Sequence, residues 1–127
     1  MRTALWPDSD LDEIDAVLHM PTSEGIVLVG ERDEGGLRGF AEIGLRKYAD
    51  GCGTSPVAYL DGIWIDTDSR RSGVASELVR GGEAWARSLG LTEFASDCDI
   101  ENHVSEAFHR AAGFEEVERH ICWRRDL

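Results

Sequence analysis

Val57-Ala58-Tyr59-Leu60-Asp61-Gly62-Ile63-Trp64-Ile65 runs through Asp66-Thr67-Asp68-Ser69 into Arg70-Arg71-Ser72-Gly73-Val74-Ala75-Ser76, and this stretch decides the fold. Its apolar opening, Val57 to Ile65, reads as a strong strand. Asp61-Gly62 sits in the middle of it, where both residue types are disfavoured, and predicts a β-bulge. Residues 66–72 are polar and turn-like. From about Gly73 to Leu89 the periodicity is helical: Val74, Leu78, Trp85 and Leu89 line one face, and Gly90 suits the C-terminal cap.

The turn into that helix carries the chemistry. A helix N-terminus presents about four unpaired N–H groups and roughly half a positive charge. Ser72, Gly73, Ala75 and Ser76 are small enough for a phosphate to approach the backbone closely, and Arg70 and Arg71 add guanidinium charge. Physically this is a diphosphate cradle. A strand-to-helix turn containing glycine is also common as plain structure, and the turn alone leaves both readings open. It lacks the Gly-Lys-Ser/Thr of a Walker A loop and the G-x-G-x-x-G of a dinucleotide loop. It does fit R-x-x-G-x-A, as Arg70, Gly73 and Ala75.

On the N-terminal side, Leu11, Ile14, Val17 and Leu18 predict a short helix within 11–20. Ile26 to Val29 is an apolar strand, Asp33-Glu34-Gly35-Gly36 a hairpin turn, and Leu37 to Lys47 the returning strand. Residues 50–56 form a loop by composition. On the C-terminal side, Thr92 to Ala95 is a short strand. Val104 to Ala112 is a helix with Val104, Phe108 and Ala111 or Ala112 inward, ending at Gly113. From Phe114 the alternation of Val117, Arg119, Ile121 and Trp123 predicts a final strand. Antiparallel strands followed by a strand–helix–strand–helix half make an α+β, or mixed α/β, domain.

The chain has 127 residues, 42% of them apolar and 30% charged, which fits one globular domain over 1–127. Its net charge of −12 disfavours nucleic acid and anionic membranes as partners. Such a surface attracts polycations and equally serves solubility alone. Cys52, Cys98 and Cys122 form no CxxC and no metal-ligand spacing, which predicts a reduced, intracellular chain with no metal site. The start has no signal-peptide pattern, and no run reaches transmembrane length, so a cytoplasmic location is expected.

The cradle, placed between a strand and a helix, resembles the coenzyme A pyrophosphate loop of the GNAT superfamily of N-acetyltransferases. Downstream, Asn102, Ser105, His109 and Gly113-Phe114 are similar to that superfamily's N-x-x-A/S-x-x-x-Y-x-x-x-G-F. Within the superfamily, Leu5-Trp6-Pro7-Asp8, Thr54-Ser55-Pro56-Val57, Tyr59-Leu60-Asp61-Gly62-Ile63-Trp64, Glu93-Phe94-Ala95-Ser96-Asp97 and Gly113-Phe114-Glu115-Glu116 resemble the aminoglycoside 6'-N-acetyltransferases.

The resemblance implies a mixed central sheet with two splayed parallel strands flanked by helices. The first strand is expected to be missing, because the chain begins almost at Leu5-Trp6-Pro7. It implies acetyl-CoA as cofactor, with the pantetheine arm along Ile63, Trp64 and Ile65, the pyrophosphate on Arg70, Arg71, Ser72, Gly73, Val74, Ala75 and Ser76, and Asn102 near the second splayed strand. It also implies a cationic amine as acceptor, an aminoglycoside first, lined by Trp6, Tyr48, Asp61, Asp97 and Glu118, and a homodimer.

Physical chemistry agrees with that lining. An ammonium-rich sugar needs carboxylates for its amines and aromatics for its rings. The nucleophile must be a neutral amine, so a carboxylate has to take a proton. Asp97, just past a strand end, is the first choice for that base and Asp61 the second. His109 stands where relatives carry a tyrosine acid for the leaving thiolate. Its ring is equally readable as a satisfied helix residue. Trp6 and Tyr48 also read as packing aromatics, Asp97 as a turn cap, and Glu118 as part of a solvated face. A backbone N–H of Ile63 or Ile65 could polarise the thioester carbonyl. The other readings of the same residues are an acetyltransferase for a polyamine or protein amine, and an inactive module that only binds acetyl-CoA.

Overall fold

The computed structural model describes Leu5 and residues 21–127. The helix expected within 11–20, the placement of Trp6 and the expected loss of a first strand lie outside the described residues. The chain divides into two compact units, one ending at Asp97 and the other Cys98–Leu127.

The first unit holds a four-stranded sheet in the order β1-β2-β3-β4. Strands β1 (Gly25–Glu31) and β2 (Leu37–Arg46) pair antiparallel across the predicted turn, where Arg32 N–H donates to Gly36 O at 2.9 Å and Gly35 N–H to Arg32 O at 3.0 Å. β3 (Val57–Ile65) pairs antiparallel with β2, and the short β4 (Phe94–Ser96) lies parallel to β3. The predicted bulge is present: Ile43 pairs with Leu60 and Glu42 with Gly62, which leaves Asp61 as the extra residue.

A 3-10 turn, Thr67–Ser69, leads to helix α1 (Val74–Ser88). Its buried stripe is Val74, Leu78, Val79, Gly82 and Ala86. Burial of side chains such as Leu78 and Val79 stabilises by about 1.5–3 kcal/mol each. Leu89, expected inward, lies past the last helical turn and is 38% exposed, and Trp85 is half-buried with its indole N–H donating to Thr22 O at 2.8 Å. Gly82 lets the helix sit close to the sheet, because a Cβ there would collide with Ile43 Cδ1 and press on Phe94 Cζ at 3.1 Å. The end of α1 is capped as expected, with Gly90 N–H donating to Arg87 O and Leu91 N–H to Ala86 O.

The bulge switches the parity of β3. Ile43 and Gly39 lie on one face of β2, toward α1. They pair with Leu60 before the bulge and Ile65 after it. The opposite face carries Tyr59 and Asp61, whose Oδ2 lies over Gly44. There Tyr59 packs with buried Ala49 and Val57 and half-buried Cys52 and Ala95.

The second unit contains α2 (His103–Ala111), which ends at Gly113 as predicted. No α2 residue is buried, and Val104, expected inward, is 83% exposed. The final strand expected after Phe114 does not form. Val117, Ile121 and Trp123 alternate as a strand would, yet among the described residues they have no ladder to join and stay exposed. A strand exists through its partner's hydrogen bonds, and alternation supplies only one side of that bargain. Local ion pairs organise part of this stretch instead: Arg110 reaches both Glu106 and Glu116 at 3.0 Å, and Arg119 also binds Glu116.

Candidate active site

Two features of the first unit form a ligand-binding frame. The first is the start of α1. Gly73 occupies the N-cap position with φ +87°, and Arg71 also lies in the left-handed region at φ 62°. No side chain caps the helix: the Ser72 hydroxyl donates back to Ser69 O, and Gly73 O accepts from Glu77 N–H at 3.1 Å. The amides of the first turn, at Val74, Ala75 and Ser76, are therefore left for an outside acceptor. Space for it exists, since a Cβ on Gly73 would meet nothing within 4 Å. Arg70 is held beside this turn: its Nε donates to Ile65 O at 3.0 Å and its guanidinium lies 5.1 Å from the Trp64 ring centre. The residues present fit a diphosphate.

The second feature is the parting of the two parallel strands. The β3–β4 ladder covers Ala58, Tyr59 and Leu60 against Phe94, Ala95 and Ser96 and then stops, whereas the β2 ladder continues to Ile65. Ile63, Trp64 and Ile65 thus lie beyond the last β4 pairing, on the segment that leads into α1. Pairing between the two parallel strands stops where the splay was expected.

The carboxylates come together on the face opposite α1. The Tyr59 phenol donates to Asp97 Oδ2 at 2.5 Å. Arg46 donates to Asp61 Oδ1 at 2.9 Å, and its guanidinium carbon stands 3.5 Å above the Tyr59 ring. Asp61, Arg46, Tyr59 and Asp97 thus form one chain of contacts. Burial, then the bond to Asp97, raises the Tyr59 phenol's pKa well above the ordinary tyrosine range. For Arg46, burial opposes the charge, but pairing with Asp61 and the field of Tyr59 and Asp97 outweigh it, and its pKa is raised. Neither Tyr59 nor Arg46 stood out among the candidate residues. A tyrosine inside an apolar strand was the available signal, because a buried hydroxyl requires a partner.

Neighbouring loop geometry is set by Glu93. Its Oε1 accepts from Gly53 N–H at 2.9 Å, Thr54 N–H at 2.8 Å and the Thr54 hydroxyl at 2.5 Å. The Thr54 hydroxyl bond first, then the backbone amides, hold this carboxyl below the usual range. Glu93 thereby fastens loop 50–56 to the entry of β4, just ahead of Asp97. Tyr48, two residues past the end of β2, is 71% exposed.

Three candidates belong to the second unit. Asn102 is the N-cap of α2, its Oδ1 accepting from Ser105 N–H at 3.1 Å. His109 has Nδ1 2.7 Å from Ser105 O, so that nitrogen carries the proton, and Phe108 and Phe114 meet its ring edge-on. This arrangement is consistent with the reading of His109 as a satisfied helix residue. Glu118 is exposed.

Comparison with known proteins gives a consistent result. Residues 1–114 match the family model described as the acetyltransferase (GNAT) family. The chain is 39% identical to an aminoglycoside N(6')-acetyltransferase type 1 of Acinetobacter genomosp. 13, covering 100% of this chain and 88% of that protein. Against the same-named protein of Klebsiella aerogenes the identity is again 39%, over 100% and 87%. Among solved structures, the aminoglycoside antibiotic 6'-N-acetyltransferase AAC(6')-Ih from Acinetobacter baumannii superposes with a TM-score of 0.92 at 36% identity, over 99% of this chain and 87% of that one. AAC(6')-Iy in complex with the bisubstrate analog CoA-S-monomethyl-acetylneamine gives 0.90 at 34%, over 100% and 88%.

Proposed function

The chain belongs to the acetyltransferase (GNAT) family, and we infer from this that it moves the acetyl group of acetyl-CoA onto a primary amine of an aminoglycoside, the 6'-amine. It is an acetyl-CoA-dependent N-acetyltransferase, and its similarity to enzymes named for aminoglycosides extends over the whole chain. One observation carries the cofactor half of the reading: β3 outruns β4 after Leu60 and feeds an uncapped helix turn. The acetyltransferase domain comprises both compact units, a reading supported by a family match that runs across the boundary at Asp97.

The residues divide the work as follows. Arg70, Arg71 and the amides of Ser72 to Ser76 hold the diphosphate, and the backbone of Ile63, Trp64 and Ile65 aligns the pantetheine arm. Acetyl-CoA supplies the acetyl group activated as a thioester. Asp61 and Asp97 supply negative charge for the cationic acceptor, and Asp97 takes the proton the amine must lose to attack. The new bond is C–N and the broken bond is C–S; the thiolate takes up the second proton that the nitrogen sheds and leaves as coenzyme A. A backbone N–H of Ile63 or Ile65 stabilises the oxyanion. Asp97 is favoured over Asp61 because one Asp61 oxygen is paired with the Arg46 guanidinium, whereas Asp97 accepts only from a neutral phenol on one oxygen and keeps the other.

The net charge of −12 supports a polycationic partner and argues against nucleic acid or an anionic membrane. No helix among the described residues is long and apolar enough to cross a membrane. A cytoplasmic location is supported by three free cysteines and by the need for acetyl-CoA. The working form is a homodimer. The exposed alternation of Val117, Ile121 and Trp123 supports this, because a second copy could provide the missing ladder. Light scattering at micromolar protein should return twice the chain mass, and a monomer at every concentration would contradict the dimer.

The reaction is tested by thiol release from acetyl-CoA with kanamycin, tobramycin, spermidine and a basic peptide. Turnover with the aminoglycosides and none with spermidine or peptide is expected. Turnover confined to spermidine or peptide would move the acceptor to another polycation. Cofactor binding without turnover on any amine would make the protein a binding module.

A further inference from the structure

We propose that Tyr59 is a positioning residue for Asp97, fixing one carboxylate oxygen so that the other faces the acceptor amine. The proposal rests on Asp97 as the base. Asp97 is an exposed side chain just past the last ladder pair of β4. An exposed aspartate ordinarily samples several rotamers, and a base that wanders loses the alignment on which proton transfer depends.

Tyr59 can prevent that because its own ring is buried and packed. It is 7% exposed and sits in the cluster of Ala49, Val57, Cys52 and Ala95, with Arg46 over its ring at 3.5 Å. The ladder holds both ends of the bond. Tyr59 pairs with Ala95, and the next pair, Leu60 with Ser96, is reinforced by the Ser96 hydroxyl donating to Leu60 O at 3.2 Å. From that platform the phenol donates to Asp97 Oδ2 at 2.5 Å, leaving Oδ1 for the amine. Burial and the neighbouring carboxylate keep the phenol protonated through neutral and mildly alkaline pH, so the donor persists wherever the enzyme works.

Arg46 completes the arrangement. Its guanidinium pairs with Asp61 at 2.9 Å and lies over the face of the Tyr59 ring, 3.5 Å from its centre. Phenylalanine at this position keeps the ring, the packing and the cation–π contact and removes only the hydroxyl.

The experiment is a double-mutant cycle on Tyr59→Phe and Asp97→Asn, read as kcat and KM with kanamycin. Tyr59→Phe is expected to lower kcat about tenfold with the KM for acetyl-CoA unchanged. The same change in the Asp97→Asn background is expected to cost nothing further. Melting temperature checks the fold of each variant. Near-ultraviolet titration of tyrosinate adds a readout independent of turnover: the late step that Tyr59→Phe abolishes should move to lower pH in Asp97→Asn, since a neighbouring negative charge has gone. Wild-type kcat in Tyr59→Phe would overturn the proposal. Equal losses in both backgrounds would also overturn it, reducing Tyr59 to packing. If Asp97→Asn alone keeps full turnover, the base assignment falls, and positioning falls with it. If Asp97→Asn is crippled while Tyr59→Phe is not, only positioning falls.

Discussion

Asp97→Asn should lower turnover by about 10²–10³-fold, with acetyl-CoA affinity and melting temperature near those of the wild type. Asparagine has almost the same shape, and its carbonyl oxygen can accept from the Tyr59 phenol as Oδ2 does now, so the platform survives. What disappears is a group able to take a proton from the acceptor ammonium. A rate series over pH makes the test specific. The variant should recover part of its activity at alkaline pH, where the free amine already exists. Unchanged turnover at every pH would remove Asp97 as base and bring forward Asp61, which would first have to be released from Arg46.

Gly73→Val should weaken acetyl-CoA binding by about 10–100-fold, the scale set by losing one or two charge-assisted contacts to phosphate. Two effects combine. The backbone at φ +87° disfavours any β-branched residue, and the added methyl groups occupy the open space before the first-turn amides. They are separable, because strain lowers the melting temperature of the ligand-free protein, whereas crowding appears only in the stabilisation that acetyl-CoA adds. A variant that folds and binds with wild-type affinity would refute the phosphate cradle.

Much of this frame was legible in the residues themselves. Gly73 and Gly90 bracket α1, Asp33 to Gly36 closes the hairpin, and Asp61-Gly62 announces a bulge, because each depends on local backbone preference. That no strand forms after Phe114 was not legible, because the alternation of Val117, Ile121 and Trp123 describes a strand's faces and says nothing about its neighbours. The Val104 stripe failed for a similar reason: helical spacing identifies an apolar side without saying whether anything covers it. Asp61 was readable as an acid out of place inside an apolar strand, and Asp97 by its position just past a strand end. Their links to Tyr59 and Arg46 were not, since those join residues 38 and 15 positions apart through strand register.

The extra residue at position 61 has a bearing on how this sequence can change over time. Side chains alternate along a strand, so dropping one residue at 61–62 would turn Ile63, Trp64 and Ile65 upside down while leaving Tyr59 where it is. The half of β3 before the bulge would then keep its faces, and the half that leads into α1 would be inverted. A point substitution there alters one side chain, whereas a shift of the count by one turns over all three.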